Sequence, residues 1–343
     1  MNAVVFDRTG GPEVLEARQV PEPTIAPDEV LIEVKACGIN RLDLWVRSGA
    51  LPLEIEMPHV CGSDVVGIAR EVGAGVRHVK SGDRVLVLPT VSCGTCRECL
   101  AGEDNLCRHH DLIGRRRNGG YAELCRVPGA NCLPYPEPLP WEQAATLPVV
   151  LLTAWHMLVT RAQLRPGEDC LVIGAGSGVG SIAIQLARLI GARVIATAGS
   201  DARLERGRAL GAHEVIDHHR RDIAAEVRRL TDKKGVEVVV EHVGGAVFEQ
   251  CVAALARNGR LVTCGATIGH QARLDLNVLF GRHLSLLGSW MGRRGELVEA
   301  LEFVKDGRIK PVLDTVLPLT EARRAHVRLE AGEVFGKLVL VPQ

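Results

Sequence analysis

Two different hydrophobic periods divide the chain. Up to about residue 147, short segments such as 30–35 and 84–88 alternate apolar and polar residues, and Gly or Pro turns separate them. This pattern predicts an irregular antiparallel β domain. From Pro148 onward, short apolar runs alternate with stretches of helical periodicity, which predicts a parallel sheet with helices packed on it.

The second pattern begins with a strand at 170–173, a glycine-rich turn and a helix that Gly191 ends. Residues 194–197 predict the next strand, and Ser200 is placed to cap a further helix that ends at Gly211. The last fifty residues hold only one helix and one strand, so we expect them to pack on the first domain. Further strands are predicted at 214–216, 238–240, 261–264, 284–287 and 337–340, the last helix at 296–305, and domain segments at 1–148, 149–291 and 292–343.

Composition narrows the class of protein. A length of 343 residues suggests two domains, and the 41 basic and 41 acidic side chains balance. There is no block of like charges, so we expect no nucleic-acid arm and no polybasic membrane anchor. The N-terminus lacks a signal-peptide pattern, and no window approaches the ~20 apolar residues of a membrane span. We therefore expect a cytoplasmic protein with a small-molecule substrate.

The glycine turn at residues 174–180 indicates a dinucleotide site. Gly176, Ser177, Gly178 and Val179 lie between the strand and the helix, where backbone amides and a helix N-terminus can hold a pyrophosphate. Glycines at every second position depart from the literal G-x-G-x-x-G spacing, and a plain tight turn is the alternative. The strand before the turn and the helix after it favour the dinucleotide.

The end of the second parallel strand favours NADP(H) over NAD(H). No acidic residue falls at the strand end to accept the ribose 2′-hydroxyl, whereas Ser200 and Arg203 can bind a 2′-phosphate, and His218 is a further candidate. Asp201 is the objection, because a shift of one position would bring it near the ribose. As the first residue after a capping serine, it fits better as a favourable charge at the helix N-terminus.

Four of the eleven cysteines are clustered, at positions 93, 96, 99 and 107. Their loop has few apolar residues, and four thiolates around a tetrahedral Zn²⁺ would hold it together. A closed shell of four cysteines leaves no open position for chemistry, so the predicted zinc is structural. Reduced cysteines that are neighbours by chance are the alternative. The predicted ligands are Cys93, Cys96, Cys99 and Cys107.

With these motifs the sequence resembles the medium-chain dehydrogenase/reductase superfamily over essentially the whole chain. The resemblance rests on the zinc lobe at 93–107, on 114–123, on 152–154 and on the glycine turn. It implies an α/β protein with a GroES-like irregular β domain, completed by the C-terminal segment, and a Rossmann doubly wound parallel-sheet domain. Cofactor and substrate would lie in the cleft between the domains, and the chain would form a homodimer or homotetramer.

The differences from zinc alcohol dehydrogenases are informative. At the three catalytic zinc ligands of those enzymes this sequence has Asn40, Ser63 and Val149, and Leu42 replaces the hydroxyl of their proton relay. Such a set cannot hold a catalytic Zn²⁺, which needs three protein ligands. The replacements resemble the quinone oxidoreductase branch, although many members of that branch lack the zinc lobe. The residues that match this branch are Asn40, Asp43, Trp45, Ser63 and Asp64.

The resemblance therefore implies hydride transfer to an activated C=C bond or a quinone without a catalytic metal. Thr153, Gly178, Val179 and Gly265 would position the cofactor, and Asn40 would stabilise the developing enolate oxygen. Asp43 and Asp64 are expected to orient neighbouring groups as hydrogen-bond acceptors rather than to act as acids. Trp45 is either a substrate wall or part of the core.

Two other functions stay open on the sequence alone. A displaced metal site near Cys37, His59 and Cys61, with Asp64, would make the chain a zinc-dependent alcohol dehydrogenase. A non-catalytic dinucleotide-binding protein is the other. The run of arginines at 115–117 could attract an anionic substrate such as an acyl thioester, but a solvated charged loop is the favoured interpretation. Substrate identity and the direction of the reaction are not predicted.

Overall fold

Antiparallel strands build the first part of the chain in a computed structural model that describes residues 1–342. The predicted strand at 30–35 lies within a longer one that extends to Gly38. Most residues of this strand are buried, and three other strands pair with it. The strands are β1 (Asn2–Val5), β2 (Glu16–Gln19), β3 (Glu29–Gly38), β4 (Asp64–Val72), β5 (Arg84–Val87), β6 (Thr90–Val91), β7 (Asp111–Leu112), β8 (Leu124–Pro128) and β9 (Cys132–Pro134), and the helices are α1 (Arg41–Ser48), α2 (Arg97–Leu100) and α3 (Trp141–Ala144).

Strands and helices alternate in the second part of the chain. After helix α4 (Pro148–Trp155) comes a π-helical turn, His156–Arg161. The strands are β10 (Asp169–Val172), β11 (Arg193–Ala198), β12 (Glu214–Asp217), β13 (Val236–Glu241), β14 (Leu255–Thr263) and β15 (Ser285–Gly288), and the helices are α5 (Gly178–Ile190), α6 (Asp201–Ala209), α7 (Ile223–Leu230), α8 (Gly245–Ala254) and α9 (Leu276–Gly281).

The C-terminal segment adds α10 (Arg294–Lys305), β16 (Leu313–Pro318), α11 (Ala322–Glu330) and β17 (Lys337–Val341). Strand β17 pairs antiparallel with β3, with Leu340 opposite Cys37. The segment therefore completes a seven-stranded sheet in the order β16-β17-β3-β4-β5-β9, with β8 also paired to β3. Short 3₁₀ helices lie at Pro12–Val14, Asp104–Leu106, Gly129–Asn131 and Leu319–Glu321.

Two compact units result. The first contains residues 1–150, 293–307 and the chain from Pro311 onward, and the second contains 151–292 and 308–310. The sequence predicts a second segment from 149 to 291, so the junctions differ by one or two residues. The short stretch 308–310 belongs to the second unit as well, which no pattern in the sequence indicates.

All strands of the second unit run parallel, in the order β12-β11-β10-β13-β14-β15. This is the Rossmann order, in which the chain reverses its direction of growth beside β10. Leu171, Ile195, Val239 and Leu261 are fully buried in the sheet and contribute to the core cluster. The carboxyl ends of β10, β11 and β12 lie at one edge of this sheet.

The helical stretch Trp141–Arg161 is long and apolar enough to cross a membrane by length and composition, with a mean hydropathy of 1.3. Of that stretch's most apolar window, 78% is buried inside the protein. Burial of this extent is typical of a core helix, which needs apolar residues all round for packing.

Candidate functional site

A buried ammonium group lies at the centre of the predicted catalytic residues. Lys337, the first residue of β17, donates to Oδ1 of Asn40 at 2.5 Å and to Oδ2 of Asp64 at 2.7 Å. The Asp64 side chain is fully buried and that of Lys337 is only 4% exposed. Asn40 precedes α1, Asp64 begins β4, and the antiparallel pairing of β3 with β4 and β17 brings all three together.

Asp64 accepts two further hydrogen bonds. The Nδ2 group of Asn40 donates to Oδ2 at 2.9 Å, and the backbone N–H of Val149 donates to Oδ1 at 2.7 Å. The resemblance aligned three positions with zinc ligands. Two of them, Asn40 and Val149, therefore contact the Asp64 carboxylate, and the third, Ser63, does not. A buried charge is tolerated only when it is paired and hydrogen-bonded, and Asp64 satisfies both conditions.

Asp43 joins the backbone segments that carry these groups. Its carboxylate accepts from the backbone N–H groups of Asn40 at 2.7 Å and Gly62 at 3.0 Å, and from the Tyr121 hydroxyl at 3.2 Å. Burial raises the pKa of Asp43 to about 6, although the bond from Asn40 and the charge of Lys337 oppose the rise. All of these bonds join Asp43 to the fold, so its carboxylate can hold the backbone of Asn40 and Gly62 in place.

A chain of hydrogen bonds continues from Asp43 to the surface. The Tyr121 hydroxyl lies 3.2 Å from Nε2 of His326, Nδ1 of His326 lies 3.2 Å from the Arg47 guanidinium, and Arg47 pairs with Glu330 at 2.5 Å. Arg47 can only donate, so Nδ1 accepts and Nε2 carries the hydrogen. Burial, followed by the charge of Arg47, lowers the pKa of His326 to about 3, so the ring is neutral.

The remaining predicted catalytic residues are placed differently. The hydroxyl of Ser63 is fully buried and donates to the backbone oxygen of Ile113 at 2.7 Å, which is a structural bond. Trp45 lies half-buried on α1. Ser63 thus shares the neighbourhood of Asp64 in sequence but not its hydrogen-bond network.

Cys37, His59 and Cys61 do not converge on one point. The thiols of Cys37 and Cys61 contact different backbone oxygens at 3.8 Å, and Nε2 of His59 lies 3.2 Å from the oxygen of Gly114. Burial raises the pKa of both thiols well above the usual range. Within residues 1–342, these side chains form no group of three or more potential ligands close enough to share a metal ion.

The four clustered cysteines do converge. Their sulfur atoms all lie within 4.8 Å of one another, with Sγ of Cys93 at 4.0 Å from that of Cys99 and 3.6 Å from that of Cys107. Thiolates at ~2.3 Å around a tetrahedral ion require similar separations. Hydrogen bonds from the backbone of Thr95 and Cys96 lower the pKa of Cys93 to about 5, which favours the thiolate. The residues fit a structural zinc.

The glycine turn packs tightly enough to explain its composition. A Cβ at Gly180 would lie 2.2 Å from the backbone oxygen of Gly174, so only glycine lets α5 approach β10 this closely. Ser177 caps the helix through Gly180 N–H at 2.8 Å. The first amides of a helix have no intrahelical partner, so Gly178 and Val179 offer theirs at this turn. The cradle fits a dinucleotide pyrophosphate.

Two residues that the sequence analysis did not identify, His242 and Thr197, support the glycine turn. Nε2 of His242, just after β13, lies 3.0 Å from Oγ of Ser177 and 3.1 Å from the backbone oxygen of Ile173. The buried hydroxyl of Thr197 accepts from Gly174 N–H at 3.0 Å. His242 directly follows a buried strand at the same sheet edge as the glycine turn. Its position after a predicted strand could have identified it from the sequence as a candidate site residue.

Asp201, the first residue of α6, is bound to the side chain of Arg220. Arg220 donates to both oxygens of Asp201, at 3.0 and 3.4 Å. Ser200 occupies the N-cap position, but its side chain makes no capping hydrogen bond, contrary to the prediction that it caps α6. Burial is the main cause of a lowered pKa at His218, with contributions from His219 and Arg203. The rings of His218 and His219 are in edge contact, with their centroids 4.6 Å apart.

The other predicted residues occupy the expected elements. Thr153 is buried on α4, with its hydroxyl 3.8 Å from the sulfur of Met291, and Gly265 follows β14. Thr263 donates to the buried carboxylate of Glu241 at 2.7 Å, which holds the end of β14. In the arginine run, Arg115 pairs with Asp111 at 3.4 Å and Arg116 is exposed.

Comparisons with known proteins extend over the whole chain. Residues 26–137 match the family described as "Alcohol dehydrogenase GroES-like domain", and residues 178–306 match "Zinc-binding dehydrogenase". An alcohol dehydrogenase of Geobacillus stearothermophilus is 33% identical and aligns over 99% of both chains. A quinone oxidoreductase of Rattus norvegicus is 31% identical, over 99% of this chain and 98% of its own.

Solved structures agree with these matches. The crystal structure of an NAD-dependent alcohol dehydrogenase is 47% identical, with a TM-score of 0.96 over 99% of both chains. The GroES-like and Rossmann-like folds predicted from the sequence are thereby confirmed, and the relatives are dehydrogenases and oxidoreductases. The chain is an oxidoreductase that belongs to the medium-chain dehydrogenase/reductase superfamily.

Proposed function

We propose that the enzyme uses NADP(H) to reduce an activated C=C bond or a quinone without a catalytic metal. The observation that carries this proposal is the Lys337 ammonium, bonded to both Asn40 and Asp64. An ammonium group has no lone pair with which to ligate a cation. Its charge would also repel a divalent ion held by the same residues, most strongly in a buried site. The residues present therefore do not fit a catalytic Zn²⁺.

Asn40 provides the hydrogen-bond donor that the reaction needs. One Nδ2 hydrogen is bound to Asp64, and within residues 1–342 the other has no partner. When bound, the nicotinamide supplies a hydride. As hydride adds to the β-carbon of an enone, the C=C electrons move to the carbonyl oxygen as an enolate, and a proton from water then reaches the α-carbon. Asn40 donates to that oxygen as its charge develops.

Asp43 and Asp64 position this donor and transfer no proton in the proposed reaction. Asp43 binds the backbone of Asn40 and Gly62, and Asp64 holds the Asn40 carboxamide. Fixed donors stabilise a developing charge better than mobile ones, because no reorganisation is needed during the reaction. The two carboxylates therefore contribute by orienting Asn40.

The preference for NADP(H) is part of the proposal. Arg220 already binds Asp201, the acid that the sequence analysis named as a possible acceptor for the ribose hydroxyls. Arg203 lies in the first turn of α6 after β11, and His218 directly follows β12, which pairs with β11. A 2′-phosphate is bound near the ends of such strands in folds of this type. The structural relative named above is NAD-dependent, so the preference requires measurement.

One structural Zn²⁺, held by Cys93, Cys96, Cys99 and Cys107, is also proposed. A homodimer or homotetramer is expected as well, since β15 forms an edge of the six-stranded sheet and Phe280 on α9 is 68% exposed. Light scattering that gives twice or four times the chain mass of 37.0 kDa would support this assembly, and a single chain mass would contradict it.

Oxidation of a simple alcohol is the second candidate, because two of the relatives described above are named alcohol dehydrogenases. It would require a metal held near Cys37, His59 and Cys61. Those side chains are bound to three separate backbone oxygens, which is why we favour the metal-free reaction. A protein that only binds the dinucleotide would show no turnover with any substrate.

The test is a panel of enones, quinones, aldehydes and alcohols with NADPH and NADH, assayed before and after chelation. We expect oxidation of NADPH by an enone or quinone that is insensitive to the chelator. Asn40→Ala should lower kcat roughly 100-fold, the usual effect of removing one oxyanion donor. Chelator-sensitive oxidation of an alcohol as the only activity would overturn the proposal.

A further inference from the structure

Lys337 has a role that goes beyond excluding a metal. A carboxamide can lie in two orientations related by a 180° flip, which exchange its oxygen and its NH₂ group. At Asn40 the ammonium of Lys337 lies against Oδ1, and the carboxylate of Asp64 lies against Nδ2. The flipped orientation would place an N–H against the ammonium and an oxygen against the carboxylate. The two charges therefore select one orientation.

We propose that Lys337 is the positioning residue that fixes the Asn40 carboxamide, so that its second Nδ2 hydrogen meets the oxygen of the substrate. This proposal deepens the function proposed above and rests on it. Lys337 also polarises the amide, because a cation at Oδ1 draws electron density from the nitrogen and strengthens its N–H groups as donors. Lys337 does so from β17, which is adjacent to β3, whereas Asn40 lies just beyond β3.

Among residues 1–342, no second charged side chain is bonded to Oδ1 of Asn40. Within the described chain Lys337 is the one charged side chain bonded to this oxygen, whereas Asp64 keeps the backbone N–H of Val149 even without the lysine. Asn40 also takes part in a capping box at the start of α1, in which its side chain faces the backbone N–H of Asp43. Loss of the ammonium would therefore remove the charge that selects the orientation of the amide while leaving Asp64 partly satisfied. We therefore expect a specific effect on Asn40. Any loss of stability caused by the unpaired buried carboxylate of Asp64 would come in addition.

The test is a double-mutant cycle on kcat with Asn40→Ala and Lys337→Met. Lys337→Met should lower kcat roughly 10-fold to 100-fold, the range for partners that orient an active group, with the KM for NADPH unchanged. In the Asn40→Ala background the same substitution should cost nothing further. Two losses that multiply would show that Lys337 acts independently of Asn40 and would overturn the proposal. An unchanged kcat in Lys337→Met would do so as well.

Two additional variants deal with folding. If Lys337→Met does not fold, the cycle is repeated on Asp64→Asn/Lys337→Met, which removes both charges and leaves an oxygen to accept from Asn40. Lys337→Arg keeps the cation and should recover part of kcat. Lys305→Met, at the exposed end of α10, is the matched control and should leave kcat unchanged, since Lys305 pairs with Glu302 away from this network.

A readout without turnover separates this inference from the proposed function. In ¹⁵N-labelled protein the side-chain NH₂ signals of Asn40 are identified by their absence in Asn40→Ala. We expect two well-separated proton signals in the native protein and a loss of that separation in Lys337→Met but not in Lys305→Met. Unchanged signals in Lys337→Met would refute the orientation even in an active enzyme. A native protein inactive on the whole panel would instead refute the proposed function.

Discussion

His326 shows how burial and one neighbouring charge decide the protonation of a single residue. Arg47 donates to Nδ1, so a proton there would place two cations in contact, and the pKa of His326 falls to about 3. The unfolded chain binds that proton near pH 6.5, whereas the native chain does not. The stability that depends on a neutral His326 is therefore present above pH 6.5 and lost as the pH falls.

The prediction uses His326→Gln, which removes the titrating group and keeps an amide donor. The free energy of unfolding of the native protein should fall relative to this variant by about 2 kcal/mol between pH 7.5 and pH 5. Asp43 has a raised pKa and acts in the opposite direction, since its stabilisation is lost as the pH rises through about 6. Asp43 is present in both proteins and cancels in the difference. Urea titrations across this range that run parallel for the two proteins would refute the assignment.

Arg203 carries the prediction on cofactor choice. Native enzyme should have a higher kcat/KM with NADPH than with NADH, because a guanidinium binds a phosphate as a planar fork. Arg203→Ala should reduce the difference by about 1 to 3 kcal/mol. Arg208→Ala, near the end of the same helix, is the control, since Arg208 is exposed and pairs with Glu205. Equal use of both cofactors by the native enzyme would remove the argument.

Some single residues of the site could not be predicted from the sequence. Asn40 and Asp64 could be selected from the sequence because a family resemblance aligned them, but Lys337 could not. It lies 297 and 273 positions from its two partners, and only the pairing of β17 with β3 brings them together. His326 and Arg47 meet across a separation of 279 positions because helix α11 packs against helix α1.

For single helices and strands, the sequence predicted the element correctly where the residues of a motif follow one another along the chain. The helix predicted after the glycine turn is α5, and Gly191 ends it in the left-handed region with φ 96°. Alternation predicted helices between the later strands without giving their bounds, and these helices are α7, α8 and α9. Strand β14 begins at Leu255, well before the predicted 261. Asp275 caps α9 by accepting from the backbone N–H of Asn277 at 2.8 Å, and Gly244 precedes α8, so the sequence holds start signals for both helices.

We expect the stability of the zinc lobe, residues 93–107, to depend on a bound ion. Loss of zinc should unfold it locally, because Leu100 and Leu106 are exposed and the lobe has little core of its own. Cys99→Ser should lower the Tm by about 5 °C and make the exposed Arg97 and Arg108 sensitive to trypsin.

Turnover of Cys99→Ser at 25 °C should stay within about twofold of the native value, because a closed shell of four thiolates takes no part in the reaction. Cys132→Ala, on β9 and outside the cluster, is the control and should leave both tryptic sites protected. A selective loss of turnover with an unchanged Tm would contradict a structural role.

For the whole molecule, the fold and the family follow from sequence patterns that extend along the chain. Alternation in the first part and strand-helix repetition in the second predicted an antiparallel β domain and a parallel sheet. The family resemblance implied that these are a GroES-like and a Rossmann-like fold, and the comparisons confirm both. The reaction was harder to predict from the sequence than the fold, because relatives with these folds are named alcohol dehydrogenases as well as quinone oxidoreductases. Function depends on the few side chains placed on the fold.

The central claim is that reduction needs no metal, and the direct measurement follows zinc content and rate in the same sample. A chelator removes zinc stepwise at 25 °C while elemental analysis gives the ions per chain and an enone assay gives the rate of NADPH oxidation. The account predicts about one Zn²⁺ per chain at the start and a rate that stays constant as zinc falls towards zero. A rate that falls in proportion to the zinc removed, and returns when zinc is restored, would contradict it.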